Sequence, residues 1–335
     1  MAIKVLVTLI PVFLFLIMLL YLDSLKLIRK SLLMVCLAWG FVSAGGSFFL
    51  NTWLLTHFVI SFETYSGFVA PFVEELLKFS MLFLLIKRNR IGFMIDAAIY
   101  GFSIGAAFSF AENLFYLSQY AGAESNLMIW ITRGFGTAIM HCGTTAIFGI
   151  LCMSALNRQT SFGTASVSGA LAAILIHGIF NQFLVSPLIS TLIIIIVVPL
   201  SIILIFLSNE RSIRKWLESE FDSEVSLIRM IRKGQFSKTK TGDFLVSLKS
   251  HFPGETVLDM YCFIGLYLEL SMKAKSMLML RENDLAIPSD PDLPVKLREL
   301  KALKKSIGRG GYLAIAPVLR MNRKDFWKLY MLEKV

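Results

Sequence analysis

Residues 189–208 read ISTLIIIIVVPLSIILIFLS, twenty positions with no charged side chain. As a helix, such a stretch rises about 30 Å, the thickness of a bilayer's hydrocarbon core. Toward the N-terminus the pattern repeats, with apolar stretches over 165–185, 127–153, 91–118, 67–86, 31–55 and 3–22. The composition agrees: 56% of the 335 residues are hydrophobic and 17% charged, well away from an ordinary soluble domain. The expected fold is an all-α, polytopic membrane helix bundle of about seven spans.

Beyond residue 208 the chain changes character. Residues 1–208 hold 10 Lys/Arg and 7 Asp/Glu, whereas 209–335 hold 23 and 16. The expectation is a transmembrane domain over 1–208 and a basic, mainly helical cytoplasmic domain over 209–335. Basic residues follow the first span (Lys26, Arg29, Lys30), the third (Lys87, Arg88, Arg90), the fifth (Arg158) and the seventh (Arg211, Arg214, Lys215). The segments 56–66, 119–126 and 185–189 have none, so the positive-inside rule puts the N-terminus outside and the tail in the cytoplasm. Residues 1–22 lack a basic leader beyond Lys4 and an Ala-x-Ala site, which makes them an uncleaved first span rather than a signal peptide. Cys36, Cys142, Cys152 and Cys262 lack the close pairing of a zinc or redox motif and are expected to be packing residues. Gly45, Gly46, Gly101, Gly105, Gly134, Gly136 and Gly169 suit close helix approach.

Ionisable groups in hydrocarbon are costly, so each one inside a span is a candidate for function. They are Glu74, Glu75, Lys78, Glu112, His141 and His177. Counting rise from the outer ends of their helices puts the glutamates and His177 at roughly 9–12 Å depth. His141 joins that layer if Arg133 marks the outer end of its helix. Glu74 and Lys78, four apart, share a face and can pair, with Glu75 turned about 100° away. Phe108 stands one turn from Glu112, followed by Asn113; His177 and Asn181 share a face and are expected to aim two donors at one oxygen.

Hydrolysis needs an activated water, oxyanion stabilisation and a proton donor, and these side chains supply all three. A glutamate serves as general base, while His177 and Asn181 serve as oxyanion donors. Two histidines with glutamate equally make a catalytic zinc set with an open position for water, drawn from Glu75, Glu112, His141 and His177. Zinc-bound water and a metal-free glutamate mechanism are both open at this point. An ion- or proton-coupled transporter would use the same groups, but its path would spread them across the membrane rather than collect them in the outer half.

The ordered set Glu74-Glu75-x-x-Lys78, Phe108-x-x-x-Glu112-Asn113, His141 and His177-x-x-x-Asn181 resembles the PrsW intramembrane proteases, relatives of the CAAX prenyl endopeptidase superfamily. The resemblance covers about residues 67–185. It implies an inner-membrane bacterial peptidase that cuts membrane-protein substrates near the outer face, typified by anti-sigma-factor processing. It also implies water-activating roles for Glu74 and Glu75, Glu112 as their partner, His141 as a further site residue, and His177 with Asn181 as oxyanion or ligand residues. Lys78, Phe108 and Asn113 stand as supporting residues.

In the tail a long helix is expected from Glu255 to Glu282, with Leu258, Cys262, Gly265, Leu266, Glu269 and Leu270 along its stripe. Pro288, Pro291 and Pro294 mark a loop before a basic amphipathic helix, Val295–Ile307. Such a helix can lie on membrane lipids, but charge runs are usually the solvated face of a packed domain. The tail shows no nucleic-acid motif, and partner binding or the membrane surface is its expected role.

Overall fold

The computed structural model describes residues 2–21, 28–120, 126–182, 184–283 and 285–319, with 327, 329, 331 and 332. Lys26 and part of the 119–126 segment lie outside the described residues, as do the side chains of Arg214 and Lys215. The chain forms two compact units, Met1–Asn209 and Glu210–Val335, and among the described residues there is no strand.

The first unit is built from α1 (Ala2–Tyr21), α2 (Lys30–His57), α3 (Ala70–Lys87), α4 (Met94–Tyr120), α5 (Leu127–Asn157), α6 (Phe162–Asn181) and the first part of α7 (Pro187–Arg232). Among the described residues, six helices are long and apolar enough to cross a membrane. The seventh expected span, α3, has 18 residues and includes Glu74, Glu75, Lys78 and Lys87. It is packed against α2, α4, α5 and α6, and both Glu75 and Lys78 are fully buried. Apolar side chains point outward around the unit, among them Leu14 (61% exposed), Phe49 (74%), Leu171 (56%) and Ile196 (61%). A surface of that kind suits lipid rather than water, and the protein is a multi-pass membrane protein.

Helix α4 is the axis of the unit. Every residue from Ile95 to Ser109 is buried. Its small residues allow this: a Cβ at Gly101 would sit 2.6 Å from Thr145 O, and one at Gly105 would run into His141 O. α5 therefore lies backbone to backbone against α4, which fixes the position of His141. The expected close approach holds at Gly101, Gly105, Gly134, Gly136 and Gly169; at Gly45 the space is open. Asp96 accepts from the backbone N–H groups of Gly92 and Phe93 at 3.1 and 3.2 Å, tying down the turn before α4.

Among the described residues, two π-helical turns interrupt the helices: Tyr65–Val69 immediately before α3, and Thr132–Thr137 inside α5. Single π turns inside helices mark functional sites more often than chance. Each carries residues of the site below.

In the second unit, α8 (Lys240–Ser247), α9 (Gly254–Glu282) and α10 (Leu293–Ile315) follow the end of α7. The buried face of α9 is Met260, Phe263, Ile264, Tyr267, Leu268 and Leu270, whereas Leu258 and Cys262 are exposed. The helix has apolar side chains on both sides, and the aromatic-rich side is the one that packs. Cys262 is thus not a packing residue, unlike the buried Cys36, Cys142 and Cys152. Helix α10 buries Leu293, Leu297, Leu300 and Ile307 and packs on α9, with Arg298, Lys301 and Lys305 on the exposed side. Gly308, at φ 66°, breaks its geometry. Lys275, fully buried, pairs with Glu224 at 3.0 Å, and Ser271 donates to the same carboxylate at 2.8 Å.

Candidate active site

Helices α3, α4, α5 and α6 each bring one polar segment to the same place. Glu75 on α3 is at its centre. Its Oε1 accepts from Lys78 Nζ at 2.5 Å, from Thr144 Oγ1 at 2.9 Å and from His177 at 2.8 Å through Nδ1. Of the pairs that spacing allows, the structure forms Glu75–Lys78, at i,i+3, and not Glu74–Lys78. The reason is burial: both Glu75 and Lys78 face the packed interior, where an ion without a partner would be severely penalised. Glu74 is turned instead toward a cavity and lies 3.8 Å from His177 Nε2.

His141 on α5 is engaged at both ring nitrogens. Nδ1 lies 3.0 Å from Lys78 Nζ, and Nε2 lies 3.1 Å from Glu112 Oε2. A lysine ammonium only donates, so Nδ1 accepts and Nε2 carries the proton toward Glu112. The two imidazoles stand perpendicular, with centroids 4.8 Å apart. Phe108 packs on His141 with centroids 5.0 Å apart and has Lys78 Nζ 4.9 Å from its ring centre. This ring covers the histidine and lysine as well as standing one turn from Glu112.

Glu112 is anchored from the other side. Arg133, in the π turn of α5, pairs with its Oε1 at 3.2 Å, donates to Asn113 Oδ1 at 3.2 Å and stacks 3.6 Å over the Tyr116 ring. Asn113 also donates to Thr8 O on α1 at 3.3 Å. Arg133 and Thr144 are members of the cluster that sequence reading does not assign to the site. Arg133 offers a signal, a lone cation inside an apolar stretch; Thr144 offers none, because threonine is ordinary in such helices.

Asn181 departs from expectation. Its Nδ2 donates to Ser66 O in the first π turn at 3.1 Å, so it does not converge with His177 on one oxygen. One turn of helix separates the two residues, and the π turn lies against the end of α6, where it takes the amide first. Asn181 instead holds that turn in place and lines the cavity.

The cavity is about 530 Å³ and opens beside Glu74 and Glu112. Its other walls come from α2 (Phe41 and Phe48), the segment leading into the first π turn (Phe62) and α4 (Phe115), which give an apolar lining.

Ligand atoms of Glu74, His141 and His177 all lie within 4.8 Å of one another. One carboxylate and two imidazoles are the donor set of a catalytic zinc site with an open position. His177 has the usual support of a metal-binding histidine, a carboxylate on its other ring nitrogen. A second oxygen of the same carboxylate, Glu75 Oε2, is buried without a hydrogen-bond partner among the described residues. The residues present therefore fit a divalent metal once His141 exchanges Lys78 or Glu112 for it. Of the set expected from sequence, His141 and His177 meet, with Glu74 beside them. Glu75 stands behind His177, and Glu112 stands between His141 and Arg133.

A family model described as PrsW family intramembrane metalloprotease matches residues 29–207, more than half of the chain. No curated protein and no solved structure matches it.

Proposed function

Because the chain belongs to the PrsW family of intramembrane metalloproteases and is thus a membrane peptidase, we propose that it cuts membrane-protein substrates near the outer face of a bacterial inner membrane. In this reading the N-terminus is outside and the 209–335 domain cytoplasmic, an orientation that the distribution of Lys and Arg supports. Regulatory cleavage of the anti-sigma-factor type is the role proposed for it. The observation that carries the site assignment is the meeting of Glu74, His141 and His177 from three helices beside a cavity of about 530 Å³.

Glu74, His141 and His177 would hold a zinc ion, which there would polarise the substrate carbonyl and acidify a water. Glu75 fixes the tautomer of His177: with Nδ1 donating to Oε1, Nε2 is left as the free lone pair facing Glu74. Lys78 and Thr144 hold that carboxylate in place. Glu112 reaches the cavity and has a proton donor, His141, on one oxygen and a fixed cation, Arg133, on the other. It is placed to accept a proton from water and pass it to the leaving amine.

A second reading rests on one observation. Both nitrogens of His141 are already engaged, so His141 joins a metal only by exchanging Glu112 or Lys78. In a metal-free mechanism Glu74 activates water directly and His141 remains a donor.

The test is cleavage of a co-expressed single-span membrane protein by the full chain. Glu74→Gln and His177→Ala are expected to abolish cleavage while the protein still accumulates. Loss of activity on chelation, restored by zinc, supports the metal reading; full activity in chelator with no bound metal supports the glutamate reading. Unchanged cleavage by both variants overturns the site.

A further inference from the structure

Among the described residues, helix α1 gives the site no side chain, and the family match over 29–207 does not reach it. It nevertheless packs on each of the three groups that hold Arg133. The helix buries Thr8, Val12, Leu16 and Leu19 along one face and turns Leu6 and Leu14 outward.

The first group is Asn113. Its Nδ2 donates to Thr8 O at 3.3 Å, while its Oδ1 accepts from Arg133 Nε at 3.2 Å. A carbonyl on one side and a guanidinium on the other leave the amide a single orientation. The second group is the Tyr116 ring under the guanidinium, which packs with Val5 and Leu9 of α1 against Leu117 and Trp130. The third is the π turn that carries Arg133. A Cβ at Gly134 would run into Val7 O and lie 2.7 Å from Thr8 Cα, so α1 and the turn meet along main chain. Pro11 contributes to this contact, because it lacks the N–H that would bond Val7 O from one turn further along α1.

These contacts matter because of what Arg133 holds. An arginine side chain carries about 2 kcal/mol of rotamer entropy, and one ion pair at 3.2 Å does not select a single placement. The amide, the ring and the turn together do. Arg133 in turn fixes Oε1 of Glu112, the carboxylate that reaches the cavity. Resting on the peptidase reading, we propose that α1 is a positioning element for Glu112, acting through the cage it builds around Arg133. A shift of α1 loosens Asn113, Tyr116 and the π turn at once, and so moves the reacting carboxylate without touching substrate.

The test is steady-state cleavage of a single-span membrane substrate by the full chain in detergent. Leu9→Ala and Gly134→Ala are each expected to lower kcat about tenfold, part of the roughly hundredfold that full misplacement of a reacting group costs, with KM within about twofold of wild type. In an Arg133→Gln background the same changes are expected to lower kcat by less than about twofold, because the group they act through is gone. Their effect on the unfolding midpoint is expected to be equal in the two backgrounds, so lost stability alone does not give that pattern. Leu14→Ala, 61% exposed on the outer side of α1, is expected to keep the wild-type kcat. Wild-type kcat in both α1-contact variants, equal fractional losses in the two backgrounds, or a loss in Leu14→Ala that matches Leu9→Ala would each overturn the proposal. If Gly134→Ala does not accumulate, Leu9→Ala decides. A second readout does not need cleavage. With Tyr116 replaced by 3-fluorotyrosine, Gly134→Ala is expected to move the fluorine resonance toward that of Arg133→Gln. A chain that shows this shift and cleaves nothing loses the peptidase reading alone. One that cleaves, but whose Leu9→Ala and Gly134→Ala variants match wild type in kcat and in fluorine resonance, loses only the role of α1.

Discussion

His177 donates through Nδ1 to Glu75 Oε1 at 2.8 Å, across 102 positions of sequence and from α6 to α3. In the metal-bound site proposed above, the bond gives Glu75 a positioning role behind His177. A carboxylate behind a metal-binding imidazole typically strengthens metal affinity 10–100-fold. Glu75→Gln is therefore expected to lower zinc affinity by about that range. Thr144→Val, which removes one of three donors to the same oxygen, is expected to have a smaller effect in the same direction. Competition with a graded series of chelators measures both, and equal zinc affinity in Glu75→Gln and wild type would count against the arrangement.

Lys78 and Glu75 are both fully buried and paired. Removing one member of such a pair leaves a buried charge and costs about 3–5 kcal/mol. Lys78→Met is expected to lower the thermal unfolding midpoint in detergent and the amount of protein that accumulates. The double variant Lys78→Met/Glu75→Gln, which leaves no unpaired ion, is expected to recover much of that loss without recovering cleavage. If the two substitutions add instead of compensating, the pair is not a coupled unit.

Much of this architecture is legible in the sequence. The lengths of 189–208 and the other apolar stretches give the bundle, and Glu74, Glu75, Glu112, His141 and His177 stand out because hydrocarbon penalises them. The partners within the cluster are less legible. Helical spacing lets Lys78 reach Glu75 at i,i+3 as well as Glu74 at i,i+4, and only the packing of α3 against α5 and α6 decides which one is buried with it. The π turns are invisible for a related reason. They shift the face presented by one residue without altering composition, so neither the Asn181–Ser66 bond nor the reach of Arg133 to Glu112 follows from counting at 3.6 residues per turn.

Arg133 holds Glu112 and Asn113 together and stacks on Tyr116. Its side chain is 16% exposed, so the site tolerates its loss better than that of Lys78. Arg133→Gln is expected to leave accumulation near wild type but to lower cleavage on the order of a hundredfold, the scale that a misplaced reacting group produces. Arg133→Lys keeps the charge but loses the planar stack and the fork, and is expected to fall between the two. Cleavage rates normalised to protein level decide this. Wild-type cleavage by Arg133→Gln would remove Arg133 from the positioning of Glu112.

Gly105 tests how the fold sets the site. A Cβ there would run into His141 O and lie 2.5 Å from Cys142 Cα and 2.7 Å from His141 C. These are backbone atoms, so no side-chain rotation relieves the clash, and α4 and α5 must move apart. Overpacking of this kind costs about 1–3 kcal/mol, and here it also displaces His141 from Lys78 and Glu112, which hold it at 3.0 and 3.1 Å. Gly105→Ala is accordingly expected to lower both the unfolding midpoint and cleavage, with cleavage falling further than stability explains. Gly163 is the matched control, because a Cβ there meets nothing within 4 Å. Since alanine is favoured over glycine inside a helix by about 0.5–1 kcal/mol, Gly163→Ala is expected to be neutral or slightly stabilising and fully active. Equal behaviour of the two variants would mean that the approach of α4 to α5 does not place His141.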